Sequence, residues 1–159
     1  MANLTGSRTV EIAAPVSRCF AIAADLDLVP EWHGVITAIR VLDRDKSGRA
    51  TLVDTDMHAA VAQLQVRLLF SYEEPHHIAW TRVGGNLRSL EGSWRFQAVN
   101  PHRTLATYQL EIGVNNRLAL LARTLRGPAR ARVETLLADR PVEGLMARAQ
   151  RATTDTRCP

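Results

Sequence analysis

From Gly34 to Ile112 apolar and polar residues alternate with a period of two, broken only by short clusters of turn residues. That spacing puts successive side chains on opposite faces, which suits a pleated strand and not a helix. The runs are Val35–Leu42, Thr51–Met57, Leu64–Tyr72, Ile78–Arg82, Leu90–Phe96 and Ala106–Ile112. Between them lie Asp43–Gly48, Glu73–His76, Gly84-Gly85-Asn86 and Asn100-Pro101, rich in the residues that turns require. Connections this short pair neighbouring strands antiparallel, as a meander with one apolar face.

The flanks read differently. Ser7–Ala14 alternates as one more strand, and Pro15 opens a helix in which Val16, Cys19, Phe20 and Ala23 share a face. Asp25–Pro30 ends that helix, and Pro30–His33 reads as a second short helical turn. After the meander, Leu118, Leu121 and Leu125 begin an apolar stripe that Gly127-Pro128 interrupts. Val133, Leu136 and Leu137 resume it, with Leu145 and Met146 beyond Pro141, a proline expected to kink or split the helix. At 159 residues the chain suits one domain, expected over 7–150 with a flexible tail at 151–159. The expected class is α+β: about seven antiparallel strands, two short helices after the first, and a long C-terminal helix. A sheet must cover its apolar face, and a curled sheet seldom closes fully on one helix. A cavity between sheet and C-terminal helix is therefore expected.

This order resembles the helix-grip fold of the START/Bet v 1-like superfamily, and in particular its polyketide cyclase/dehydrase-like or coenzyme Q-binding-like branch. The likeness rests on Val10–Pro15, Phe20–Asp25, Val29-Pro30-Glu31-Trp32-His33, Glu74–Trp80 and Ser89–Trp94. It implies a curved sheet wrapped around the terminal helix. For function it implies a range: lipid, sterol and quinone carriers, and aromatase/cyclases.

Side-chain chemistry narrows this range. The five histidines fall in separate elements with no metal-ligand spacing, so no metal and no cofactor are expected. No nucleophile elbow or phosphate loop is present, and Cys19 reads as a small core residue. Asp54, Asp56 and Glu91 have the parity of solvent-facing strand positions, and His33 is expected to be exposed beside a core-anchoring Trp32. Polar atoms on the apolar face are the better candidates: Arg82, Tyr72 and Tyr108 could steady an enolate or hold a ligand oxygen. The expected ligand-binding wall is Trp32, Phe70, Tyr72, Trp80, Arg82, Trp94, Tyr108, Leu110 and Leu136.

The expected function is binding of a hydrophobic small molecule (lipid, quinone or polyketide-like), with a polyketide aromatase/cyclase as the alternative. A third reading follows from charge. Up to Asn116 there are 11 basic and 12 acidic residues, whereas from Arg117 onward there are 9 and 4. An arginine-rich C-terminal helix could meet RNA or a ribosome, yet no aromatic residue stands among those arginines to stack on bases, so nucleic acid is not the expected partner. The lack of a signal-like N-terminus or a long apolar run places the expected protein in the cytoplasm. Its oligomeric state is left open.

Overall fold

The computed structural model describes residues 3–59, 62–114 and 127–155. Strand β1 (Asn3–Ile12) leads into helix α1 (Val16–Ala24), a single 3-10 turn (Leu26–Leu28) and the four-residue helix α2 (Val29–Trp32). The meander follows as β2 (Ile36–Arg44), β3 (Ala50–Ala59), β4 (Ala62–Glu73), β5 (His77–Gly85), β6 (Ser89–Asn100) and β7 (Arg103–Gly113). Helix α3 (Pro128–Asp155) closes the fold. The seven strands form one antiparallel sheet in the order β1-β7-β6-β5-β4-β3-β2, so β1 crosses over to pair with the last strand. This is the helix-grip α+β architecture that the alternation and its flanks imply.

Element boundaries differ from the expectation at both ends. β1 begins at Asn3 rather than Ser7, because Asn3–Ser7 pairs in register with Gln109–Gly113. Helix α3 continues to Asp155, past the boundary expected at residue 150. It also runs as one helix through Pro141, so of the expected kink or split the split does not occur. Val142, Leu145 and Ala149 on one side of the proline and Leu137 and Ala138 on the other are all buried. That shared apolar contact offsets the one hydrogen bond the ring removes. The leucines at 118, 121 and 125 lie outside the described residues.

Parity decides what each strand buries. Leu64, Val66, Leu68 and Phe70 face inward on β4, while Gln63, Gln65, Arg67 and Leu69 face out. At the β2–β3 hairpin, Asp45 Oδ1 accepts from the backbone N–H of Ser47 and Arg49 and from the Ser47 hydroxyl, 2.6–3.0 Å away. The β4–β5 turn holds a cis Glu74–Pro75 peptide. On the outer face, Asp54 is clamped between Arg40 (2.6 Å) and Arg67 (2.7 Å), whose hydrogen bonds hold its carboxyl at about 2. Asp56 and Glu91 face solvent, in line with their parity.

Helix α3 lies on β1, β7 and α1. Its Leu137, Ala138, Val142, Leu145 and Ala149 complete the core beneath it, together with Ile12, Cys19 and Phe20. Arg8 of β1 anchors its outer side through Asp139 at 2.7 Å. The inner face of β3–β6 is left to α1, the 3-10 turn and α2.

Candidate functional site

Beneath α1–α2 the side chains do not close. Sixteen residues surround a narrow hollow. The roof is Ala23, Leu26, Val29, Trp32 and His33; the floor is Ile36 and Ile39 of β2, Met57 of β3, Leu68 and Phe70 of β4, and Ile78 and Trp80 of β5. Leu90, Trp94, Tyr108 and Leu110 of β6 and β7 complete it. About 500 Å³ between these surfaces, mouth included, is free of atoms, but the centre of a water molecule has only about 30 Å³ in which to move. That is room for about two waters, so a larger guest must push the walls apart. No described residue of α3 takes part. The expected cavity against the C-terminal helix is thus corrected: α1 and α2 roof the hollow, and α3 seals the neighbouring part of the sheet.

Aromatic rings set the shape. Phe70 and Trp80 stack at 5.5 Å, Trp80 and Tyr108 meet at 5.8 Å, and Trp94 lies 4.7 Å from Tyr108. Trp32 reaches Trp94 at 6.5 Å. Flat, rigid rings cannot interdigitate as aliphatic chains do, which leaves gaps between them. Gly92 makes this packing possible, because a Cβ there would collide with the Trp80 indole.

Of the expected wall, Trp32, Phe70, Trp80, Trp94, Tyr108 and Leu110 surround the hollow. Three others stand elsewhere. Tyr72 is stacked on Phe70, but its hydroxyl donates to the Ala50 carbonyl at 2.6 Å and its ring lies 5.5 Å from the Arg49 guanidinium. Arg82 faces inward one step beyond Trp80, outside the hollow; its Nη2 donates to the Gly85 carbonyl at 3.2 Å and its Nε is buried without a partner. Leu136 belongs to a separate depression with Val35, His58 and Arg140. Alternation places Tyr72 and Arg82 on the correct face but cannot say how far along a strand the hollow extends.

His33 corrects the reading in the other direction. It is 5% exposed and forms part of the roof, with its ring 6.2 Å from Tyr108. Val29, Trp32 and His33 stand at i, i+3 and i+4, so one helical turn turns all three inward, a spacing that was legible in the sequence. Removal from water holds the imidazole at about 3, far below its ordinary value, and so neutral. Its Nδ1 accepts the Ile36 backbone N–H at 3.4 Å, which leaves the ring proton on Nε2. Burial likewise raises the Tyr108 hydroxyl above its ordinary range, so it stays protonated. Leu68, Ile78 and Leu90, which the expected wall omits, share parity with Phe70, Trp80 and Trp94.

The roof is fastened from outside. Glu31 pairs with Arg148 of α3 at 3.0 Å, Arg140 donates to the Gly34 carbonyl at 3.2 Å, and Gly144 lies directly beneath the Trp32 carbonyl, where a Cβ would not fit. Among the described residues no group of His, Cys, Asp or Glu is arranged to hold a metal ion, and no helix is long and apolar enough to cross a membrane.

Comparison with known families decides the class. The profile described as "Polyketide cyclase / dehydrase and lipid transport" matches residues 3–149. The chain belongs to this family. Among solved structures, a START superfamily protein from Mycobacterium smegmatis superposes with a TM-score of 0.78 at 20% identity, covering 93% of this chain and 98% of that one. The Zhui aromatase/cyclase from Streptomyces sp. R1128 gives 0.75 at 16% identity, covering 96% of each chain. A protein from Thermus thermophilus gives 0.73 at 17%, covering 94% of this chain and 99% of that one. These likenesses concern the fold. A sequence comparison with curated proteins finds no match.

Proposed function

We propose that this chain binds an apolar small molecule, of lipid, quinone or polyketide-like kind, in the aromatic hollow under α1–α2. The observation that carries the reading is the wall itself: none of its sixteen described residues is Asp, Glu, Lys or Arg, and their polar side-chain atoms are few. Such a surface gains affinity mainly by taking apolar area out of water, at about 25 cal/mol per Å². Family membership agrees with it. At rest the hollow is nearly closed, so uptake must be accompanied by outward movement of the rings or of α2. Equilibrium binding of tetralin, a two-ring hydrocarbon, tests this. Leu110→Trp fills the hollow and is expected to weaken uptake at least tenfold; undiminished uptake would place the ligand elsewhere.

A cyclase reading uses the same space. Of the three residues expected to act chemically, Tyr108 alone lies at the hollow, and its hydroxyl has no hydrogen-bond partner among the described residues. It would steady a developing enolate while the walls hold a poly-β-ketone chain in a folded shape. Tyr108→Phe then keeps uptake and loses cyclised product; unchanged product formation removes the reading.

A further inference from the structure

The polar atoms of the hollow are lopsided. Its wall offers the indole N–H groups of Trp32, Trp80 and Trp94, the His33 imidazole and the Tyr108 hydroxyl. Indole only donates, and the one acceptor nitrogen of His33 is already taken by the Ile36 N–H, so among these side chains the Tyr108 hydroxyl alone can accept. The Trp32 Nε1 is buried with no hydrogen-bond partner, in a residue 8% exposed. A buried donor left unpaired is costly, and the ring of His33, which also borders the hollow, lies 5.7 Å from that of Trp32.

Resting on the reading of the hollow as a ligand site, we infer that Trp32 Nε1–H and His33 Nε2–H are a donor pair that receives a carbonyl oxygen, so that the ligand is an uncharged ketone or quinone rather than a hydrocarbon or a carboxylic acid. The pair lies on consecutive residues of one roof segment, and both rings border the hollow. A carboxylate would satisfy the donors equally well, but it would bring a full charge into a wall with no cation among its described residues, at a large desolvation cost. A hydrocarbon leaves both donors as unpaired as they stand now. Neutral His33 cannot act as an anion-binding imidazolium, and it keeps its donor through the physiological range.

Two compounds of nearly equal shape decide the matter: tetralin and 1-tetralone, which differ by one carbonyl. In His33→Phe and in Trp32→Phe, the ratio of tetralone to tetralin affinity is expected to fall about tenfold, whatever each change does to the tetralin affinity itself. A ratio unchanged in both variants overturns the donor pair while leaving the hollow as a binding site. Failure of both compounds to bind the unaltered protein defeats the hollow itself, and the pair with it. ¹⁵N resonances of the unaltered protein give a second readout, independent of whether either variant folds. The His33 Nε2 signal should move on addition of 1-tetralone and stay in place with tetralin. An unmoved signal with bound 1-tetralone overturns the proposal.

Discussion

One sheet carries two kinds of interior. Under α3, Ile12, Ala106, Val142, Leu145 and Ala149 have no measurable exposure. Under α1–α2, Phe70, Trp80, Trp94 and Tyr108 meet edge to face or in offset stacks around a hollow. Both regions are apolar. What separates them is the shape of the side chains and the length of the covering elements: a 28-residue helix in one case, a nine-residue helix, a turn and a four-residue helix in the other. Stability is concentrated where packing is complete, and adaptability where rigid rings and a short roof prevent completion.

The sharpest way to break that contrast is a pair of truncations. Leu145→Ala opens a cavity in the filled region and is expected to cost about 3–5 kcal/mol in denaturant unfolding. Phe70→Leu enlarges a hollow that already exists and is expected to cost about 1–2 kcal/mol while easing tetralin uptake. Equal costs would mean that the two interiors are packed alike.

Next in size is a pH effect confined to the hollow. Folded His33 holds its pKa at about 3 against 6.5 in the unfolded chain, so between these values the unfolded chain binds a proton that the native state refuses. This contribution is fully present above pH 6.5 and is lost as pH falls towards 3, with a slope of at most about 1.4 kcal/mol per pH unit. Unfolding free energies measured at about pH 5 and about pH 6.5 should differ less in His33→Phe than in the unaltered chain. An identical difference in both would show that the imidazole is hydrated.

The smallest effect belongs to the outer face. Asp54→Asn removes a clamp between two exposed arginines, and a loss of less than about 1 kcal/mol is expected, shrinking further in high salt. A loss as large as that of Leu145→Ala would give the outer face a structural weight its exposure does not suggest.

How much of this was legible in the sequence follows from the range of each signal. Period two reports on neighbours two residues apart, and it found every strand of the meander and the inward parity of Phe70, Trp80, Trp94 and Tyr108. It carries nothing about which element covers which stretch of sheet. The hollow was therefore expected under α3, and Leu136 was counted in its wall. Arg82 and Tyr72 show the same limit: correct face, but beyond the end of the hollow. His33 was legible through its i+4 spacing from Val29, yet a single turn is a faint periodic signal next to about eighty residues of alternation. The arginine excess of the C-terminal segment includes Arg140 and Arg148, which contact Gly34 and Glu31 across the fold.

Those last two contacts have a consequence for timing. The lid over the hollow is held by a helix that no occupant would touch, through an ion pair, a carbonyl contact and a glycine with no room for a methyl group. How long a guest of the proposed site stays would then be set by the strength of a fastening on the far side of the lid, and how tightly it is held by the rings beneath. Dwell time and grip can be altered separately, by changes in different parts of the chain.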